Sequence, residues 1–491
     1  MAKKAVAAKQ RNAAGREISV TGFLLGGKEV KSGETFTVLS PWDRSVVATV
    51  STATYDEALG AVDTAVRHAP SIRAIPAYTR QKVLSTVAER LATDRAGFAA
   101  TIVAEAGKPR RAALSEVDRA ALTFRIAAEE SVRQGGEVLP LDLLPGSEGR
   151  WGMVRRFPIG PILAITPFNF PLNLVAHKLA PAIAAGCPVL LKPSPQTPLS
   201  ALALGRLILE AGWPPEALSV LPMADADVGR LIEEENGIRM LTFTGSARVG
   251  WELKRRAGKK HVALELGGNA AMIVHSDCGD LAAVVEKAVR GAFTYSGQSC
   301  VSVQRIFVER PIFQTFLWKV VERAGLLVSG DPASEKTDIG PVIREQDAER
   351  IISWIEEAKQ LGAKVVLGGE GHGLMVEPTI LSGTRSPMKI ADEEVFGPVV
   401  AIEAYDDFDS VLSLVNESKY GLQTGLFTRD QGRIFRAYER LNVGAVIVGD
   451  SPSWRMDSMP YGGVKDSGEG REGIQAAIRE MTQSKLLVIT P

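Results

Sequence analysis

No apolar run in this chain approaches the roughly 20 uninterrupted residues that a membrane-spanning helix needs, so a transmembrane reading is set aside. Cysteine is scarce: Cys187, Cys278 and Cys300 are the three present. Three is too few, and the wrong parity, for a disulfide framework, which favours a reducing compartment where a thiol stays free. Net charge is missing too. Lys plus Arg and Asp plus Glu both number 57, so no overall field draws the chain to DNA, RNA or an anionic membrane. No His or Cys spacing resembles a zinc site, and no metal is expected. Internal repeats, low-complexity blocks and Pro/Gly/Ser linkers are absent. So is the G-x-G-x-x-G dinucleotide fingerprint after any strand-like run.

What is present describes an ordinary globular chain, with 45% apolar and 23% charged residues. At 491 residues it exceeds one hydrophobic core, so two or three domains are expected. Lys3, Lys4, Lys9, Arg11 and Arg16 precede the first acid, Glu17, and no serine occurs before Ser19. We read this stretch as a frayed, solvated terminus rather than a transit peptide, and expect a cytoplasmic protein.

Residue spacing divides the chain. Thr54 is placed to cap a helix through His68, whose Leu59, Val62, Ala65 and Val66 recur at helical intervals. Further helical stretches run over 80–106 and 110–133. Between Pro161 and His275 short apolar runs appear at 162–166, 189–191, 218–221, 240–243 and 271–274. They lack polar alternation and are separated by helix-length amphipathic sequence, which predicts a doubly wound, mostly parallel α/β layer. A second α/β stretch runs from about 300 to 448, with strand-like segments at 304–308, 364–367 and 399–402. Segments 138–144 and 151–157, around Pro145-Gly146, read as a β-hairpin, and 485–489 as a lone strand. Strands without a parent sheet often complete one in trans, which points to an oligomer.

Chemistry concentrates in two places. Cys300 follows Gly297-Gln298-Ser299, thirty-five residues after Glu265 in Glu265-Leu266-Gly267-Gly268-Asn269. A thiol attacks a carbonyl as thiolate, and a carboxylate at an apolar strand end can later activate water, which together suit thioester chemistry. The run ending at Phe243 leads into Thr244-Gly245-Ser246 and then a helix. Gly245 lets backbone approach a ligand and a helix N-terminus favours phosphate, although a plain helix cap fits as well. Lys192 closes the 189–191 strand, as either a cofactor contact or a solvated strand end.

Seven ordered segments then carry a resemblance: Thr166-Pro167-Phe168-Asn169-Phe170-Pro171, 186–198, 243–250, 265–269, 297–300, Glu394-Val395-Phe396-Gly397-Pro398 and 460–472. From about Phe23 to Leu487 the chain resembles the NAD(P)-dependent aldehyde dehydrogenase superfamily. The closing segment Met459–Gly468 most resembles the lactaldehyde and non-phosphorylating glyceraldehyde-phosphate branch. The resemblance implies Cys300 as nucleophile and an oxyanion held by Asn169 and the Cys300 backbone N–H, with Glu265 as the base that activates water. It implies a cofactor held by Thr166, Pro167, Phe168, Lys192, Ser194, Gly245, Ser246, Leu266, Gly267, Glu394 and Phe396. It also implies a homodimer or homotetramer with a small-molecule aldehyde as partner. Two doubly wound parallel-sheet domains and a small β piece follow: 20–135 with 158–264 binding NAD(P), 265–476 catalytic, and 136–157 with 477–491 for oligomerisation.

The chain departs from the pattern where NAD-preferring members carry a ribose-binding glutamate three residues after the lysine. Here that residue is Pro195, so NADP is expected to be accepted, and preferred over NAD. Arg248 adds to that preference or is simply solvated. In the family's substrate funnel, Arg119 and Arg455, with Phe170, Ser299 and Tyr461, suit a carboxylate, a phosphate or a hydroxyl beside the aldehyde. The competing reading pairs those arginines with Asp118 and Asp457. Ser299, where phosphorylated-aldehyde enzymes often have arginine, counts against a strongly anionic substrate, and a small polar aldehyde is expected. Alternatives are a succinate-semialdehyde-type dehydrogenase and a CoA-acylating enzyme, the latter disfavoured by the presence of Glu265.

Overall fold

The computed structural model describes residues 20–490; the basic N-terminal stretch lies outside them. Local signals are realised where they are strongest. Thr54 caps helix Tyr55–Arg73 through a reciprocal pair with Glu57, the Thr54 hydroxyl accepting from the Glu57 N–H while the Glu57 carboxylate accepts from that of Thr54. The stretch expected as one helix over 80–106 is two, Ala77–Thr93 and Arg95–Ala106, broken at Asp94. Helix Arg110–Ser131 follows. Residues before Thr54 form strands Val20–Thr21, Phe23–Leu25, Lys28–Val30, Thr35–Leu39 and Val46–Ser51, which the spacing did not reveal. Short edge strands of this kind carry little periodicity to read.

Two larger sheets organise the rest. The first has eight strands, with Met240–Thr244 and Ile162–Ile165 near its centre, flanked by His261–Glu265 on one side and Val189–Lys192 then Leu218–Val220 on the other. These five are parallel to one another. Antiparallel strands Phe23–Leu25 and Gly468–Glu469 pair with the two ends of that parallel block. The second sheet has seven strands, all parallel except for the Lys364–Leu367 edge. Here the expected grouping is corrected. Segment 271–274 belongs to strand Ala270–Val274 of the second sheet, and the place it was given in the first is taken by His261–Glu265. The chain crosses between sheets at Leu266-Gly267-Gly268-Asn269. Strand faces are buried on both sides, as the continuous apolar runs require.

The hairpin forms from Gly136–Pro140 and Trp151–Pro158, its first strand ending at Pro140 rather than running on to Leu144. The C-terminal strand Thr482–Ile489 does not stand alone. It pairs antiparallel with Trp151–Pro158 along its whole length, so the two pieces complete one three-stranded sheet within the chain. That sheet remains open at both edges and exposes Val138, Leu486, Leu487 and Val488. No helix among the described residues is long and apolar enough to cross a membrane.

Candidate active site

The parallel strands of the first sheet end together, and their following loops build one wall of a cavity of about 730 Å³. Strand Ile162–Ile165 delivers Pro167, Phe168, Asn169 and Phe170; Met240–Thr244 delivers Gly245 and Ser246; His261–Glu265 delivers Glu265, Leu266 and Gly267. Ligand sites at the carboxyl ends of parallel strands are the rule for such layers. The second sheet contributes Ser299, Cys300, Glu394 and Phe396, and the loops beyond it Ser453, Arg455 and Tyr461.

Cys300 is aimed by its own local backbone. Helix Leu281–Phe293 is followed by Tyr295, Ser296 and Gly297, all left-handed (φ 51°, 53° and 67°). For two non-glycine residues this conformation is costly, of order 1–3 kcal/mol each, and needs anchors. The Tyr295 hydroxyl donates to the Ala106 carbonyl at 3.0 Å and the Ser296 hydroxyl to that of Gly340 at 2.7 Å. At Gly297 a Cβ would lie 2.0 Å from the Gly397 carbonyl oxygen, so glycine is required. Gln298 completes the turn: its side-chain oxygen accepts from the Ile343 N–H, and its carbonyl accepts from the Asn169 amide at 3.0 Å. One hydrogen of the Asn169 amide is thereby used and its second is left to the cavity. The Cys300 thiol meets the Tyr461 hydroxyl at 3.0 Å. Desolvation pushes this thiol up to about 11, although Tyr461 and Arg455 pull it down. A ready thiolate, expected from the residue type, is therefore not what the surroundings favour.

Glu265 is buried and one carboxylate oxygen has no partner. Burial, and then the Glu472 carboxylate, hold its carboxyl well above the usual range against the pull of Lys178 and Arg455. Behind it lies a charged network that the motifs did not reveal. Lys178 donates to Glu472 at 2.7 Å and to the Thr242 hydroxyl at 2.8 Å. Burial opposes the Glu472 charge, but the Lys178 and Arg455 cations hold it down to about 2. The available signal was a lysine inside Asn173–Ala185, a helix buried on every face.

The two funnel arginines are ion-paired yet still line the cavity. Arg119 grips Asp457 with two bonds, at 3.1 and 2.7 Å, and Asp118 pairs with Arg95 instead. Asp457 also accepts a 2.8 Å bond from His177, which burial keeps below its ordinary value and hence neutral at pH 7. Arg455 is 8% exposed, donates to Glu472 at 3.2 Å, and keeps its Nε without a partner.

Toward the other end, Glu394 accepts from the Gly268 N–H at 2.9 Å. A Cβ at Gly267 would lie 2.1 Å from the Glu394 carboxylate, so that glycine is needed for the approach. Desolvation pushes Glu394 up to about 7. Phe396, at φ 50°, stacks edge-on against Phe168 at 5.9 Å. Ser246 makes no side-chain cap for helix Ala247–Arg256, leaving the first N–H groups of that helix free of it. Three expected cofactor residues lie outside the cavity wall. Thr166 donates its N–H to the Lys192 carbonyl, Ser194 bonds Gln196, and the Lys192 ammonium is taken by Asp225. Asp225 opens helix Asp225–Glu234, and spacing around Pro195 could not reveal it. Arg344, Arg350 and Trp354 also line the cavity and were not anticipated.

The family model for the aldehyde dehydrogenase family matches residues 29–487. The chain belongs to that family. As an aldehyde dehydrogenase it is 44% identical over 473 residues to the 3-sulfolactaldehyde dehydrogenase of Priestia aryabhattai, covering 96% of this chain and 98% of that protein. Aldehyde dehydrogenase 21 from Physcomitrella patens, solved in complex with the reaction product succinate, superposes with a TM-score of 0.95 at 41% identity, over 96% of this chain and 99% of that one. Glyceraldehyde-3-phosphate dehydrogenase GapN from Methanocaldococcus jannaschii, solved with NADP, gives 0.90 at 35% identity, over 94% and 100%. The aldehyde dehydrogenase fold, with its two parallel-sheet layers, and an oxidoreductase activity on aldehydes follow.

Proposed function

We propose that this aldehyde dehydrogenase oxidises a small polar aldehyde with an acidic terminus to the carboxylic acid, using NADP or NAD, through a thioester on Cys300. The observation that carries this is the convergence of Cys300 and Glu265, borne on different sheets, on one cavity with Asn169 between their loops. Cys300 Sγ loses its proton to solvent water as it adds to the aldehyde carbon, and the developing oxyanion takes hydrogen bonds from the second Asn169 amide hydrogen and the Cys300 backbone N–H. The nicotinamide cofactor, when bound, supplies the acceptor for the electron pair that leaves the carbon. Glu265 then takes a proton from water as it attacks the Cys300 thioester, releasing the acid and the Cys300 thiolate.

The residues present suit such a cofactor. The uncapped start of helix Ala247–Arg256, with Ser246, offers N–H groups to a pyrophosphate, and Gly245, whose own N–H donates to the Glu265 carbonyl, lets the backbone come close. Glu394 offers a carboxylate to ribose hydroxyls, and Phe396, Phe168, Pro167, Leu266 and Gly267 an apolar slot. Thr166, Lys192 and Ser194 would hold the adenosine end. We further propose a cytoplasmic homodimer or homotetramer joined through the open sheet 136–157 and 482–489, with units 20–135 plus 158–264 for cofactor and 265–476 for catalysis. The apolar residues exposed on that sheet support this.

Pro195 and Lys192 support acceptance of NADP, while Asp225 tempers it by neutralising the lysine. The kcat/KM ratio for NADP over NAD is expected at or above unity, and roughly threefold higher in Asp225→Asn, the scale of an exposed ion pair. A wild-type ratio favouring NAD more than tenfold would sink the preference.

For the aldehyde, the cluster behind Cys300 sets three cations, Arg119, Arg455 and Lys178, against the carboxylates of Asp457 and Glu472. Arg119, whose side chain is 30% exposed and lines the cavity, favours an anionic terminus. Absorbance at 340 nm with lactaldehyde, glyceraldehyde 3-phosphate, succinate semialdehyde and hexanal tests the reading. Acidic aldehydes should lead and hexanal trail. In Arg119→Ala, KM for the acidic aldehydes should rise about tenfold while that for lactaldehyde changes little. An equal rise for both would show that the arginine shapes the site without recognising charge. A requirement for CoA in the same assay would favour the acylating alternative.

A further inference from the structure

Tyr461 sits where the reacting sulfur is, and its hydroxyl is the hydrogen-bond partner that the structure gives to Cys300, at 3.0 Å. The residue is held rigidly. Its N–H donates to the Glu472 carbonyl at 3.0 Å and its carbonyl accepts from the Glu472 N–H at 2.6 Å. The next turn is closely packed, since a Cβ at Gly463 would lie 2.3 Å from the Ser467 side chain. On its face, the Arg455 guanidinium lies 3.6 Å from the ring centroid. A cation over a phenol ring draws electron density from the oxygen and strengthens its O–H as a donor.

We infer that Tyr461 is a catalytic residue that donates its hydroxyl proton in a hydrogen bond to the Cys300 thiolate, both as it attacks and as it leaves. The inference rests on Cys300 being the nucleophile. In the thiol state either group can donate; once the sulfur is charged, only the phenol can. The charged groups bearing on the sulfur are few. Desolvation disfavours its ionisation most; Tyr461 and Arg455 favour it, while Glu394 and Glu265 oppose it. Tyr461 itself stays protonated, because burial and the neighbouring sulfur push its hydroxyl well above the usual phenol range. It therefore remains a donor across the working pH range without competing for the proton. When water breaks the thioester, the C–S electron pair returns to Sγ and the same O–H receives it.

Tyr461→Phe removes one oxygen and keeps the ring, the Arg455 contact and the backbone pairing. In full-length enzyme, the pH dependence of Cys300 alkylation by iodoacetamide is read by peptide mass spectrometry, which separates it from Cys278 and Cys187. The midpoint should rise by about one pH unit, with alkylation and kcat at pH 8 both falling about tenfold. A structural role alone would move the thermal unfolding midpoint and leave the thiol's pH midpoint in place. Site-specific 3-fluorotyrosine, a more acidic phenol and so a stronger donor, should shift the midpoint downward. An unmoved midpoint with rates within twofold in both variants overturns the inference. Full turnover by Cys300→Ala would instead overturn the nucleophile reading, which the alkylation midpoint does not test.

Discussion

Cys300→Ala is expected to lower kcat by a factor on the order of 10⁴ or more, while leaving the fold intact. The size follows from what is removed. Without the sulfur no covalent adduct forms, and the remaining oxyanion donors and binding groups act on an aldehyde with no nucleophile beside it. Stability should change little, because Cys300 is only partly buried and packs against a small cluster of Val301, Leu422 and Tyr461. Absorbance at 340 nm and thermal unfolding, measured on one preparation, separate the two effects. Activity above about one per cent of wild type, with an unchanged unfolding midpoint, would remove Cys300 from the mechanism. A thiol pushed up to about 11 is protonated at neutral pH. Alkylation of the free enzyme should accordingly rise about tenfold per pH unit through pH 8–10, rather than level off as it does for a low-pKa thiol.

Glu265→Gln is expected to separate the two halves of the reaction. Steady-state turnover should fall about 10²–10⁴-fold, the scale of a lost general base. The first turnover should survive as a burst of 340 nm absorbance near one equivalent per site, since the Cys300 proton leaves to solvent and forming the thioester asks nothing of Glu265. Glutamine keeps the size and burial of the side chain but cannot take the proton from water. Loss of the burst as well would place Glu265 in acylation and overturn this division of labour. The pH profile gives a second check. The Glu265 carboxyl is held above its usual 4.5 by burial and by Glu472, and only its ionised form is a base. Wild-type kcat should therefore fall as pH drops through a value above 4.5, and this limb should vanish in the variant.

Much of this site could be read along the chain. Thr166–Pro171, Glu265–Asn269, Gly297–Cys300 and Glu394–Pro398 each combine glycine or proline with one reactive or amide side chain, and each follows a strand-like or helical run. Such segments carry their conformation locally. Gly267 is needed because Glu394 approaches it, and Gly297 because the Gly397 carbonyl does. The capping box at Thr54 and the buried parallel strands were legible for the same reason. The network behind Glu265 was not, because Lys178 and Glu472 lie 294 residues apart. Asp225 on Lys192 was also out of reach, arriving from a helix start 33 residues away. The terminal strand read as an orphan because its partner, Trp151–Pro158, lies far earlier in the chain.

Sequence by itself determined the α/β class and the family, and named the thiol, amide and carboxylate of the proposed mechanism, because short-range spacing and residue chemistry are enough for each. Tertiary structure alone decided which charges meet. It coupled Glu265 to Glu472 and gave Arg119 to Asp457 rather than Asp118. It also set the Tyr461 hydroxyl on the Cys300 sulfur. Desolvation and distance control those pairings, and both are properties of the folded cavity that no stretch of chain possesses alone.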